Sequence, residues 1–536
     1  MKIKLLLMLM LFCGTAFGQQ RMLTGTVTSK DDGLPLVGVT VKSNQQTVIT
    51  DVNGKFNISA TLNQSINFSY VGMQSFTYIF RGETSPVTIQ LDKASGNLNE
   101  VIVTGYQSQK KADLTGAVSV VKMADIKDVR QGNAIKSLQG RISGVNITSD
   151  GSPGGGATVR IRGIGTLGNN DPLYVIDGIP TKRGLQELNQ DDIESIQVLK
   201  DASSATIYGS RAANGVIIIT TKKAKNGVHR VDVNASTSIQ YYTTKQKMLN
   251  TQQRGEAYWR AAINNQFNPN DNQIYKFDWN NDFTNPVLNS VILPEFIDAA
   301  KTMHPADTKW YDEISQPSII QNYNVAVTNG GERGSTFFSV GYYDNKGIVK
   351  ESRARKINMR LNTDFNFLDN RLKIGENFNA TYASNVLIPI SDVMFTALVQ
   401  QPIVPVHTVT GGWGGPASGM TDRHNPVRLI EDNKQNKNYF GRLIGNVYAD
   451  LALMPNLHLR SSYGLDYSGI YDRTLRKSYV SGFLTDPSNL VQNDQSYDGN
   501  LIFQNTISYT FDKQKHHFDF VVGHESINFI NQNFFG

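Results

Sequence analysis

Few residues in this chain stand in patterns that could carry chemistry, and each pattern has a plainer reading. Gly154-Gly155-Gly156 could wrap a phosphate, but no Gly-Lys-Ser/Thr follows and the next charge is Arg160. Asp191, Asp192 and Glu194 could act as a carboxylate pair, yet acidic residues at the start of a helix explain them more simply. His516-His517 with His524 lack the His-Glu-x-x-His spacing that puts two imidazoles on one helical face, so a sheet wall or the surface is the expected setting. The only cysteine, Cys13, lies in the N-terminal leader, which removes disulfides, thiolate-bound metals and cysteine nucleophiles from the mature chain. No nucleophile–base pair stands out. The expectation is a protein that is no enzyme, with no catalytic, metal or cofactor residues.

One stretch offers backbone chemistry instead. Glu100, Val101, Ile102, Val103, Thr104, Gly105 and Tyr106 form a β-prone island between polar segments at 92–99 and 107–113. A strand with no obvious sheet in its own domain is available to pair with an edge strand of another protein through main-chain hydrogen bonds. An ordinary strand of either neighbouring domain remains the alternative.

The elements around this island define the setting. Lys2 and Lys4 precede an apolar run at 5–12, and Ala16 and Gly18 stand at the small-residue positions of a cleavage site, so residues 1–18 read as a signal peptide cut between Gly18 and Gln19. The run is too short to span about 30 Å of hydrocarbon, and no later stretch approaches about 18 uninterrupted apolar residues. A membrane role would have to use strands. Basic and acidic residues are interspersed without like-charge runs, which argues against a nucleic-acid partner.

Residues 21–92 show short β-branched runs separated by turns, including Asn53-Gly54, which suits a tight hairpin; this predicts a small β-sandwich. Residues 93–111 read as a linker carrying the island. Residues 112–225 change to a mixed α/β pattern: Ile135, Leu138 and Ile142 recur at helical spacing, and Asp201 could cap a short helix ending at Gly209. From 226 to 536 long alternating strands take over. In 357–367, Ile357, Met359, Leu361, Phe365 and Phe367 share one face, and Asn358, Arg360, Asn362, Asp364 and Asn366 the other. Strands of soluble sandwiches average about 5 residues, and this run is twice as long, the length a tilted membrane strand needs. Short turns on one side and long connections at 242–321 and 386–438 fit a bacterial outer-membrane barrel. The fold class is therefore mainly β: a sandwich, a mixed α/β domain and a transmembrane antiparallel barrel.

Several motifs are specific. LQGRISGV (138–145), VRIRGIGT (159–166), PLYVIDGIP (172–180) and IQVLKDASSATIYGSRAANGVIIITTK (196–222) closely resemble the plug signatures of SusC/RagA-type TonB-dependent receptors, and TDVNGKF (50–56) resembles the carboxypeptidase-regulatory-like domain that precedes many of them. The resemblance implies that Glu100–Tyr106 is the TonB box. It implies import of a large nutrient, an oligosaccharide or other glycan or a peptide, across the outer membrane of a Gram-negative bacterium, through a barrel of about 22 strands. TonB would supply energy and a SusD-like lipoprotein would form a lid. Arg160, Arg162, Arg183 and Arg211 read as plug-to-wall ion pairs, with direct substrate contact the alternative.

Only about nine barrel strands can be traced, and an open edge in lipid leaves backbone groups unsatisfied, so the barrel is expected to be incomplete and the chain part of a longer gene product. The competing reading is an exported β-rich adhesin or ligand-binding protein without transport; an exported enzyme rests only on the name of the sandwich domain.

Overall fold

The computed structural model describes residues 21–30, 33–43, 46–70, 73–92, 101–104, 107–110, 118–126, 132–149, 151–185, 187–201, 206–244, 246–513 and 516–536. The expected cleavage junction at Gly18 and Gln19, and Glu100, Gly105 and Tyr106 of the island, lie outside these residues. Two compact units are present: Met1–Ile102 with Ser108–Leu114, and Val103–Gln107 with Thr115–Gly536.

In the first unit, strands β1 (Arg21–Ser29), β2 (Thr40–Lys42), β3 (Thr47–Ile49), β4 (Lys55–Ala60), β5 (Ser65–Ser69), β6 (Phe76–Ile79) and β7 (Val87–Leu91) form two sheets, ordered β4-β1-β7 and β3-β2-β5-β6. Alternation along β1 and β4 turns Leu23, Val27, Phe56 and Ile58 inward, where they meet Val41, Phe68 and Leu91. Each such side chain contributes about 1.5–3 kcal/mol by leaving water. The Asn53-Gly54 turn does not close a hairpin, because β3 and β4 belong to different sheets. Only Gly54 takes a positive φ, of 71°. The turn is organised by Asp51, whose Oδ1 accepts from the Asn53 and Lys55 backbone N–H groups at 2.9 and 2.8 Å.

The island forms β8 (Val101–Thr104), which pairs with β9 (Gln107–Lys110) in a two-stranded sheet. The sequence reads 107–113 as polar linker. A polar strand partner carries no alternation to betray it.

The mixed domain contains β10 (Val118–Lys122), β11 (Val145–Thr148), β12 (Thr158–Ile161), β13 (Leu173–Ile176), β14 (Ile179–Thr181), β15 (Ile193–Leu199) and β16 (Val216–Thr221). Five of them form a sheet ordered β10-β15-β16-β13-β14, and β11 and β12 pair separately. All of β13 and nearly all of β16 are buried, as their unbroken apolar runs require of central strands. Ile135, Leu138 and Ile142 are buried together around a 3-10 turn, Lys136–Leu138, in place of a regular α-helix. The 3-10 segment Thr206–Ala212 is two turns joined across Gly209, whose non-helical backbone (φ 61°, ψ −150°) ends the first of them, as the sequence predicts.

The wall follows in the same unit. It comprises β17 (His229–Gln240), then a loop hairpin of β18 (Lys276–Trp279) and β19 (Leu288–Ile292), then β20 (Ser318–Gly330), β21 (Gly334–Lys346), β22 (Arg353–Phe367), β23 (Leu372–Val386), β24 (Lys437–Met454) and β25 (Leu457–Arg476). A second loop hairpin, β26 (Tyr479–Ser481) and β27 (Leu484–Asp486), precedes β28 (Leu490–Lys513) and β29 (His516–Phe535). Nine of these form one antiparallel sheet in the order β17-β20-β21-β22-β23-β24-β25-β28-β29, whose two end strands do not pair, so the barrel is not closed. The long connections are not the structureless loops their composition suggests. They contain helices α1 (Thr251–Asn264), α2 (Trp310–Ile314), α3 (Ile390–Val399) and α4 (Pro426–Asn433), with a core of their own that includes Trp259, Tyr275, Trp310 and Val393. Asn250 starts α1 with a reciprocal capping box to Gln253.

Candidate functional site

The wall is apolar outside and polar inside. On β22, Ile357, Met359, Phe365 and Phe367 are 45–49% exposed, whereas Asn358, Arg360 and Asn362 are 2–3% exposed. Stacked ring pairs ornament the outer face, Tyr323–Tyr342, Tyr382–Tyr439 and Tyr439–Tyr471 toward the long-loop end and Phe511–Phe518 toward the short-turn end. Aromatic girdles of this kind mark the two interfaces of a lipid bilayer. Barrels of this class keep long loops outside the cell, which places residues 241–317 and 387–436 on the extracellular side.

The polar inner face is filled by the mixed domain, not by open water. Arg442, on β24, donates to wall Asp466 at 2.8 and 3.0 Å, and to Glu187 at 3.2 Å and Thr181 at 3.0 Å on the mixed domain. Arg360 pairs with Asp177, whose two carboxylate oxygens also accept from the Thr221 N–H at 3.0 Å and hydroxyl at 2.8 Å. Wall amides reach backbone carbonyls of the inner domain: Asn362 donates to Lys222 O at 2.7 Å, Asn358 to Glu187 O, and the Lys356 ammonium to Gly132 O at 2.9 Å. Buried polar groups are thus largely paired across the joint, as desolvation demands.

The four arginines expected to bridge the two parts divide evenly. Arg183 pairs with Asp498 and Arg211 with Glu525, both on the wall. Arg160 pairs with Asp171 and Arg162 with Asp201, both inside the mixed domain, because β12 lies in the small β11–β12 sheet away from the wall contacts that Arg442 and Arg360 make. Arg360, Arg442, Asp177 and Glu187, which make the most buried bridges, were not singled out by sequence spacing. Their available signal was position: Arg360 falls on the polar face of β22. Of the acidic trio, Asn189 caps the 3-10 turn Gln190–Asp192 by accepting from Asp191 N–H at 3.0 Å. Asp192 is buried, and that burial pushes its carboxyl above the usual carboxylate range. Glu194 lies near exposed Lys225.

A cavity of about 480 Å³ opens between the inner domain and the extracellular half of the wall. Its floor is the 149–155 loop. Gly154 (φ 67°) lies so near the wall that a Cβ there would stand 2.7 Å from Ala354 Cβ and Asn385 Oδ1, which is what the glycine run serves in place of phosphate binding. The sides present Tyr343 and Phe440 rings beside the amides of Asn345, Asn385 and Asn438. Flat apolar faces next to paired amide donors and acceptors suit a ligand rich in hydroxyl or peptide groups.

Two family models match this architecture: the TonB-dependent Receptor Plug Domain over residues 110–216 and the CarboxypepD_reg-like domain over residues 23–103. Over 97% of its length the chain is 31% identical to TonB-dependent receptor SusC of Bacteroides thetaiotaomicron, of which it covers 51%. The chain belongs to the SusC/RagA type of TonB-dependent outer-membrane receptors. TonB-dependent receptor P26 of Formosa agariphila is 32% identical over 85% of this receptor chain and 44% of its own. The fold is shared with the RagAB peptide importer in its open-open state, at a TM-score of 0.64 and 24% identity over 82% of this chain and 50% of that one. The SusC/RagA-type chain described here spans about half the length of the curated relatives it matches. Its mixed domain is the plug, and the nine-stranded sheet is barrel wall.

Proposed function

We propose that the full-length receptor imports a large nutrient, an oligosaccharide or a peptide, into the periplasm, driven by TonB bound at Glu100–Tyr106 and lidded by a SusD-like surface lipoprotein. The observation that carries this reading is the polar joint beneath the cavity. A plug held to its wall mainly by hydrogen bonds and ion pairs, with wall Ile444 and Ile502 the apolar exception, can separate in water while exposing little apolar surface, provided work is supplied. Among the described residues β8 pairs with β9 along one edge, and strand addition by TonB would use the other. The likeness to RagAB, a peptide importer, supports the peptide branch, and the SusC resemblance leaves the glycan branch equally open.

The test is uptake by the full-length protein in cells with an intact energising complex, using labelled oligosaccharide and peptide pools. Val103→Pro removes a backbone N–H and fixes φ near −65°. Uptake should collapse while surface binding persists, and Val103→Ala, which keeps the backbone donor, should transport nearly as wild type. Normal uptake by the proline variant would show that the coupling strand lies elsewhere. Surface binding without any TonB-dependent uptake would favour the exported binding protein.

A further inference from the structure

Arg360 is a wall cation whose bonding in this joint is half complete among the described residues. It is 2% exposed, its Nη2 group engages Asp177, and its Nε and Nη1 atoms are buried without a hydrogen-bond partner. Asp192 of the plug is also 2% exposed, and both its carboxylate oxygens are buried without a partner. The two groups are close enough to interact electrostatically, and Ser339, the cross-strand neighbour of Arg360 on β21, lies beside Asp192. Two unpaired donors and two unpaired acceptors of opposite charge therefore share one dry corner. Left in that state, buried polar groups cost free energy, about 1–3 kcal/mol for each unmade bond and more for charged ones.

We propose that Asp192 is a positioning residue for transport: a second seat on the plug for the Arg360 pin, taken up when the plug slides along the wall. This rests on the import reading above. The hydrogen bonding favours such an exchange. When Arg360 leaves Asp177, that carboxylate keeps its two bonds from Thr221, and its own charge stays solvated by the plug backbone and hydroxyl. When Arg360 leaves Asp177 and reaches Asp192, its released Nη2 with Nε or Nη1 forms the parallel N–H pair that a carboxylate with two free oxygens accepts, the bidentate geometry that makes such pairs strong. Neither position satisfies everything, so the two compete closely. The exchange spares the displaced plug the penalty of an unpaired buried arginine, which is several kcal/mol when one partner of a buried pair is simply removed. Lys222, the other cation near Asp192, donates to the Asp191 carbonyl and, as a single ammonium, cannot present the paired N–H fork of a guanidinium.

A Ser468→Cys reporter, at a wall position 1% exposed on β25 and in a full-length receptor whose other cysteines are replaced by serine, reads plug displacement by its rate of reaction with a maleimide in living cells. The full-length reporter should label faster in energised cells than in cells lacking TonB. Adding Asp192→Asn should bring the energised rate several-fold down toward the TonB-less rate. It should leave the amount of folded, heat-modifiable receptor unchanged, since asparagine keeps an oxygen that can accept from the neighbouring Ser339 hydroxyl. In an Arg360→Gln background, Asp192→Asn should have no further effect. If Asp192→Asn fails to reach the membrane, Arg360→Lys, which keeps the charge and loses the fork, should show the same loss of labelling. Undiminished labelling in Asp192→Asn, an equal loss in the Arg360→Gln background, or full labelling in Arg360→Lys would overturn the second seat. A parent reporter indifferent to TonB would instead sink the import reading, and the second seat with it.

Discussion

Strands β16 of the plug and β22 of the wall have opposite relations to the same rule. In β16, Val216 to Ile219 are all buried among other apolar side chains. In β22 it is Asn358, Arg360 and Asn362 that are buried, and Ile357 and Met359 that are exposed. The solvent explains the inversion. Lipid accepts the apolar face at no cost, so the wall has no apolar surface to hide and its buried face can be spent on polar contacts. The plug, packed by apolar burial within, is joined to its surroundings by directional bonds. Apolar burial makes the plug a durable body, and polar pairing makes the joint breakable.

The largest test of this contrast removes Arg442. Replacing it with Leu strands Asp466 and Glu187 as buried, unmatched carboxylates, a loss expected to reach about 3–5 kcal/mol. Denaturant unfolding of the full-length receptor in lipid would measure it. The triple replacement of Arg442, Glu187 and Asp466 by leucines should recover most of that stability while slowing plug movement, because the joint would then be apolar. Recovery of transport along with stability would mean that polarity of the joint is irrelevant to release.

A smaller effect should distinguish the two faces of one strand. Met359 sits near the middle of β22 on the exposed face, and Met359→Arg should cost about 2–4 kcal/mol in lipid. On the neighbouring inward position, Asn358→Leu removes the amide donor from the Glu187 carbonyl and the Thr381 hydroxyl, which keep their bond to each other, so it should cost only about 1 kcal/mol. Folded yield from reconstituted vesicles would rank them. A soluble sandwich predicts the reverse order: Arg tolerated at an exposed position and Leu welcomed at a buried one.

How much of this was legible follows from which interactions are local. The two faces of β22 could be read because a period of two assigns every side chain to a side, and only the contents of the inner side, plug in place of water, had to come from the fold. Plug strands β13 and β16 announced themselves as unbroken apolar runs. Helices α1 to α4 did not, since their buried faces meet residues far apart in sequence, such as Trp259, Trp310 and Val393 in one shared core. The joint was the least legible part. Arg442 meets Glu187 across more than half the chain's described length, and no spacing rule reaches that far. Arg160 and Arg162 misled because an arginine in a plug motif says that a partner is needed, without saying on which side of the joint it lies.

The first unit supplies the ordinary soluble counterpart and the smallest predicted effect. Its strands turn apolar residues inward against one another, and its chain crosses between sheets at the Asp51 turn. There one carboxylate oxygen accepts two backbone N–H groups at the surface, as a helix-capping side chain does. Removing such an acceptor costs about 1 kcal/mol. Asp51→Ala should therefore speed amide exchange in β4, residues Lys55–Ala60, by roughly fivefold, the factor that about 1 kcal/mol gives at RT near 0.59 kcal/mol. Asp51→Asn keeps the oxygen and should be close to silent. Because the sandwich and the plug-and-wall assembly are separate compact units, exchange in β22 and folded yield of the barrel should stay unchanged in both variants. Faster exchange in β22 in Asp51→Ala would show that the two units are energetically coupled, and the contrast between a soluble core and a lipid-facing wall would then have to be drawn for one body in place of two.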